Sequence, residues 1–467
     1  MSPASVYYTL TVAGSTVGIA SLTLDTTLTT VEATELIDVR VSDADTALRI
    51  VQRSRTTFDR GLRFLGLVVS RSQSGNRTEI SATRVGDSAM VWRFGPEGRL
   101  GRPDTVRVRR GTAAPPSSLP LVIVALRRPR PGMLRPLGMI DPLRRALVPV
   151  EVAVLAESSL VVPDSAAMNP TTARWEAARY DTVRAWRISR RGNGPPVTLW
   201  VDEDGLPVAG ELLPGLVAQR QPFEIATSAY RQHLANGGRA DVRSPASAVL
   251  QSSPLPIQSM LVRLAGVEQD SVGWARSDIS GGSQRLSRDT LAISSGSADT
   301  AGGQSAPDTS GAEGALVPIT DRAVQALAAR VSMGETDQRR VAERLLAWVA
   351  TEVTSAPNSG PANARRTLRT RRGDPSDRAA LFTAMARSTG LAARPVAGIV
   401  AQERGWARHA WAEVKVGEWF PVDPTFGTFP AGAGYVRLVA GAPADPLYLV
   451  PLAASLAPER LTRQKTR

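Results

Sequence analysis

The chain of 467 residues contains no cysteine. Disulfide bonds, thiolate metal sites and thiol catalysis are thereby excluded together. Histidine is almost as scarce. Only His233 and His409 could offer an imidazole, too few for an ordinary zinc site, and neither metal nor cofactor is expected. Lysine is limited to Lys415 and Lys465, so arginine carries nearly all of the formal charge of +13. Such a charge suits a nucleic-acid binder. The arginines, however, are spread along the chain, with short clusters only at Arg127–Arg130 and Arg365–Arg372. Solvated arginine faces and a biased codon supply account for them, and no nucleic-acid partner is expected. There is no uninterrupted apolar run of ~18 residues, so no membrane span is expected. The opening MSPASVYYTLTVAG enters a strand-like alternation at once. No basic segment precedes an apolar one there, and no signal peptide is visible.

With 42% hydrophobic and 21% charged residues, the composition is that of folded protein. The length exceeds what one core usually organises, which points to two or three domains. From Val6 to about Ser295 the pattern is short, β-rich and punctuated by turns. Tyr7–Val12 and Val17–Leu24 make a hairpin. Leu62–Val69, Arg77–Thr83, Ala89–Phe94, Thr105–Val108, Val150–Leu155 and Thr182–Ile188 continue the series. Val197–Val208 reads as strand, acidic-glycine turn and strand. Helical patches are expected at Asp43–Arg53 and Phe223–Leu234. The expected fold of residues 5–295 is an antiparallel sandwich or open barrel, with a division into two sheets near residue 145. A Gly/Ser/Ala-rich linker follows at 296–315.

After the linker the apolar period changes from two to 3.6. Val324, Leu327, Ala328 and Val331 share one helical face behind Thr320 as cap. Val341, Leu345, Trp348 and Val349 form a second stripe behind Thr336. A loop over 354–374 leads to a third helix with Leu381, Phe382 and Met385, closed by Gly390. The runs Arg394–Ile399, Ala410–Val416 and Trp419–Val422 then read as a small antiparallel sheet. Residues 316–458 thus describe an α+β domain, and 459–467 a basic tail.

Three segments of this domain carry recognisable motifs: Gly373-Asp-Pro-Ser-Asp-Arg-Ala379 with Gly390, Arg394 and Gly398 behind it; Arg408-His-Ala-Trp-Ala-Glu-Val414; and Pro421-Val-Asp-Pro-Thr-Phe-Gly427. In order and spacing they resemble the bacterial transglutaminase-like, papain-related domain, over residues 316–440. The resemblance implies a cysteine at a helix start, its thiolate stabilised by free backbone N–H groups. It further implies a histidine to share the proton and an aspartate to fix the imidazole tautomer. His409 and Asp423 fall on the histidine and aspartate positions, and Pro375 falls on the cysteine position. Proline suits the first helical residue behind Asp374 as cap, and it has no group able to attack a carbonyl. The resemblance therefore implies the fold without its usual chemistry. It also implies export, which such architectures often show.

The expected role is binding of a peptide or protein partner in the remnant cleft, with Trp406 a candidate wall. Trp411 and Trp419 suit packing better, although Trp411 is also a candidate binding residue. Arg394 reads as an anchor and His233 as a surface histidine. One alternative is an active peptidase or acyl transferase using Ser376 with His409 and Asp423. Ser376 is rotated about 100° from the Pro375 direction, which counts against it. A second alternative is apolar-ligand binding by the β region.

Overall fold

A computed structural model describes residues 4–235, 246–247, 253–267, 279–295, 321–356 and 362–465, apart from 44–45, 74–75, 102, 108–112, 127–128, 143–144, 193, 404 and 442–444. The expected linker at 296–315 lies outside the described residues.

Period-two alternation in the first half of the chain builds one sheet of 15 strands. It consists of two meanders. Strands run outward from Ala4–Val12 to Asp104–Arg107 and from Leu216–Gln221 back to Ala113–Ala114. The meanders join where Ala4–Val12 pairs with Leu216–Gln221, Tyr7 opposite Gln221 and Thr11 opposite Val217. The expected division near residue 145 is therefore corrected. Residues on both sides of it, such as Leu67, Phe64, Val152 and Val201, share one core. The sheet rolls round that core as an open barrel.

The helix expected at Asp43–Arg53 is a strand, Thr46–Asp59, paired with Thr30–Asp43. Leu48 and Ile50 are buried on one side while Arg49 reaches the Asp38 carboxylate at 2.6 Å. Period two decides there because a neighbouring strand is available to pair. The helix at Phe223–Ala235 forms as expected.

The boundary at residue 295 and the basic tail are corrected as well. Ile257–Arg263, Gln284–Ser287 and Thr290–Ser294 form a small sheet whose outer strand is Glu459–Lys465, Leu261 opposite Thr462. Alternate residues of Glu459–Lys465 meet a partner strand, so backbone pairing orders what composition alone suggests is a frayed end. Immediately before it runs the helix Pro446–Leu456, apolar on all sides. Leu447, Val450 and Ala454 enter the barrel core. Leu449, Leu452, Ala453 and Leu456 enter the core beneath the small sheet. A helix buried on two faces must be hydrophobic all round, and this one joins the two halves of the molecule.

In the C-terminal half the expected helices are Arg322–Ser332, Gln338–Glu352 and Pro375–Ser388. Their caps are Asp321, Asp337 and Asp374. The first two lie one residue beyond the expected Thr320 and Thr336, because a carboxylate accepts the free N–H groups of a first turn more strongly than a hydroxyl. The segment expected to be a loop holds a short helix, Ala364–Thr370, capped by Asn363. Four strands follow: Ala393–Ala401, Trp406–Val416, Glu418–Val422 and Tyr435–Ala440. No helix among the described residues is long and apolar enough to cross a membrane.

Candidate active site

The helix Pro375–Ser388 begins with a capping box. The Asp374 carboxylate accepts from the Asp377 N–H at 2.9 Å, and the Asp377 carboxylate accepts from the Asp374 N–H at 3.4 Å. Pro375 occupies the first helical position, where a missing N–H leaves no bond unmade. Asp377 is buried. It also accepts from Arg366 at 2.8 Å and from the Asn363 N–H at 3.1 Å. Burial, with the Asp377 charge beside it, pushes the Asp374 carboxyl up to about 6.

This helix packs against the strand Trp406–Val416, which carries His409. His409 lies opposite Gly398 on the next strand. A side chain at Gly398 would come within 2.1 Å of the Val436 carbonyl oxygen and 2.9 Å of the Trp411 ring. Its absence lets Trp411 lie beneath the imidazole, the two rings 6.2 Å apart and nearly parallel. The next strand ends at Val422, and Asp423 follows it. His409 Nε2 and Asp423 Oδ2 are 2.7 Å apart, with both side chains fully buried.

Asp423 is held from three sides. Besides His409 it accepts from the Tyr435 hydroxyl at 2.7 Å and the Thr425 N–H at 2.7 Å. Burial alone would raise its carboxyl. The neighbouring imidazole and these donors instead hold it below the ordinary carboxylate range. An ionised Asp423 can only accept, so Nε2–H is the donor and Nδ1 is the ring nitrogen left over. That nitrogen is buried and has no hydrogen-bond partner among the described residues. Tyr435 is shifted upward by burial and by the Asp423 charge. The arrangement is an imidazole oriented by a carboxylate, with no group among the described residues hydrogen-bonded to its second nitrogen.

Motif reading brought His409 and Asp423 forward, and the structure joins them. Three neighbours escaped it. Tyr435 approaches from a strand 12 residues after Asp423. Arg378, one helical turn beyond Pro375, reaches the Pro424 and Thr425 carbonyls at 3.4 Å. Phe426 places its ring 5.9 Å from the imidazole and is 38% exposed, whereas Trp411 is 1% exposed. Only Phe426 carries a spacing signal, being three residues from Asp423 in the same motif. Ser376 makes no hydrogen bond to His409, since Nε2 is occupied by Asp423 and Nδ1 is unpartnered.

The two tryptophan candidates for binding are both buried. Trp406 donates to the Pro458 carbonyl at 3.1 Å, with Arg460 over its ring, and Trp411 lies in a core cluster with Val396 and Tyr435. Neither offers a face to a ligand from solvent; the C-terminal segment and the inner strand face cover them. Arg394 is the anchor expected. With Arg437 it clamps Glu413, and burial, which would raise that carboxyl, is overcome by the two guanidinium groups. Trp419 packs beneath Arg394 at 4.5 Å. His233 is half-buried against Tyr230 on the barrel helix rather than on the surface.

Residues 325–424 match the model of the transglutaminase-like superfamily. The C-terminal half thus carries a transglutaminase-like domain. Comparison with curated proteins finds no match. Three solved structures are similar over parts of the chain. A beta-barrel-like protein of a domain of unknown function from Brucella abortus is 13% identical, covering 47% of this chain and 94% of its own at a TM-score of 0.34. A candidate cysteine protease from Cytophaga hutchinsonii is 13% identical, covering 68% and 78% at 0.24. A protein from Pseudomonas aeruginosa, of another family named only by number, is 11% identical, covering 41% and 89% at 0.22.

Proposed function

We propose that the transglutaminase-like domain is non-catalytic and binds a peptide or protein partner, a glutamine- or lysine-bearing chain, around the start of the helix Pro375–Ser388. The observation that carries this reading is the buried, unpartnered Nδ1 of His409 beside an intact Asp423 contact. A paired histidine and aspartate persist, while no cysteine exists anywhere in the chain to complete them. Proline at the helix start keeps the fold and removes the nucleophile.

The lack of cysteine makes the test clean, because an introduced thiol is the only one. Pro375→Cys should fold, with Asp374 still capping the helix. At the start of a helix packed against the His409 strand, its thiol should ionise below the ~8.5 of a free cysteine. Iodoacetamide at pH 6 should label it faster than a Thr29→Cys control on an exposed turn, and His409→Ala should slow it. A rate equal to the control and indifferent to His409 would end the remnant-triad reading. Fluorophosphonate labelling of the unaltered protein at Ser376, lost in His409→Ala, would instead establish the acyl-transfer alternative.

A further inference from the structure

Between the rolled sheet and the transglutaminase-like domain lies a cavity of about 500 Å³. That is within the ~300–1,000 Å³ range of small-molecule sites. At the ~30 Å³ that a water occupies in its liquid, it has room for roughly sixteen heavy atoms. Its walls follow from strand register. Ile80, Val69, Ser54 and Glu35 stand opposite one another on four neighbouring strands and face inward. In the next row Thr78, Arg71, Gln52 and Ile37 do the same, and Gln73 and Asn76 follow. The wall thus becomes more polar along the strands. Across the space, Val150, Val152, Ile188, Val197 and Leu199 make most of the opposite wall apolar, with Arg190 standing between Val152 and Val197.

The polar end abuts the transglutaminase-like domain. Arg71 holds Asp445 through two contacts, one of 2.7 Å, and Asp445, Asp374 and Ser376 all line the cavity. Arg71 Nε is buried without a hydrogen-bond partner among the described residues. The start of the Pro375 helix and the barrel interior therefore border one continuous space.

The charges on its wall select among ligands. Five acidic side chains reach it, Glu35, Asp141, Glu211, Asp374 and Asp445, against Arg71 and Arg190. Arg71 is already matched by Asp445. A carboxylate or phosphate head would meet this excess of acid in a poorly hydrated space. Burial pushes Glu35 up to about 7, so near neutral pH its carboxyl can donate as well as accept a hydrogen bond, whereas Asp374, raised to about 6, remains mainly an accepting carboxylate there.

We propose that this cavity binds a single-chain amphiphile with an uncharged, hydroxyl-bearing head, its chain among Leu67, Ile80, Val152 and Leu199 and its head at Arg71, Asp374 and Ser376. The site is independent of whether the Pro375 position reacts, so labelling of Pro375→Cys can fail without touching it.

Titration calorimetry at pH 7 with 1-decanoylglycerol, below its critical micelle concentration, tests the assignment. Saturable one-to-one binding is expected, weakened at least tenfold in Leu67→Trp, which fills the cavity. If Leu67→Trp loses its circular dichroism, Ile80→Trp replaces it. Decanoate and decyltrimethylammonium should each bind more weakly than the glycerol ester. Ser376→Cys, the only thiol in its chain, should be protected from iodoacetamide by the ester. Absence of binding, or binding that neither the tryptophan variants nor Ser376→Cys detects, would overturn the site. Tighter binding of either charged probe would overturn the uncharged head.

Discussion

At the scale of single residues, the contrast between His409 and Glu35 shows what burial does to a titratable group. His409 has Asp423 to hold it, and Phe426 is the partly exposed ring over it. Phe426→Ala should therefore let diethylpyrocarbonate reach His409. Mass-spectrometric mapping should show faster carbethoxylation of His409 while His233 is unchanged, and an unchanged His409 rate would mean that other groups seal it. Glu35 has only the hydroxyls of Ser54 and Ser117 to oppose its burial, and its carboxyl rises from 4.5 to about 7. A carboxyl raised in the folded state contributes stability that is complete below its unfolded value and is lost as pH climbs through the folded one. Stability should thus decline between about 4.5 and about 7 on account of this group. The upper bound is on the order of 3 kcal/mol at 1.36 kcal/mol per unit, less because the cavity surface of Glu35 can hydrate. Glu35→Gln should raise the melting temperature at pH 8 and give no such gain at pH 4.5. Equal effects at both pH values would contradict the ionisation argument.

At the scale of elements, the helix Pro446–Leu456 shows how local and tertiary demands meet. Asp445 caps it by accepting from the Leu447 N–H at 2.9 Å, and the same carboxylate holds Arg71 of the barrel. The ion pair is almost fully buried, with side chains 13% and 7% exposed. Removing one partner leaves the other charge uncompensated, so Asp445→Ala should cost about 3–5 kcal/mol in chemical denaturation. Asp445→Asn combined with Arg71→Met keeps the cap and removes both charges, and should be much less destabilising than Asp445→Ala. If the double variant is as unstable as the single one, the cost lies in packing rather than charge. Strand reading succeeded where a face alternates, as in Asn76–Val85 and Glu418–Val422. It failed at Thr46–Asp59, where arginines between apolar residues imitate a helical period and only the neighbouring strand settles the matter.

At the scale of the whole molecule, the halves are interlocked rather than strung together. Strand Ile257–Arg263 precedes the expected linker yet pairs with Glu459–Lys465 at the far end of the chain. The segment 296–315 is rich in glycine, serine and alanine, a composition that favours proteolytic access. Elastase should cut there first, since the segment offers alanine and no basic residue. The two fragments should nevertheless co-elute on gel filtration, held by the Pro446–Leu456 helix and the shared small sheet. Separation without denaturant would refute the interlock, and first cuts within 325–424 would refute the linker.

Sequence alone determined the absence of thiol chemistry, the β-rich first half, the α+β second half and the identity of His409 and Asp423 as a candidate pair. These follow from composition, period and short motifs, all of which act over a few neighbouring residues. Only the tertiary structure decided the single rolled sheet, the pairing of the last strand with Ile257–Arg263, the approach of Tyr435 and Arg378 to the site, and the cavity behind Asp374 and Ser376. Each of these joins residues far apart in the chain, such as Arg71 and Asp445, and no local pattern encodes which distant surfaces will be buried together. The closing of the barrel against the second domain creates that space, and burial there is what raises the carboxyls of Glu35 and Asp374.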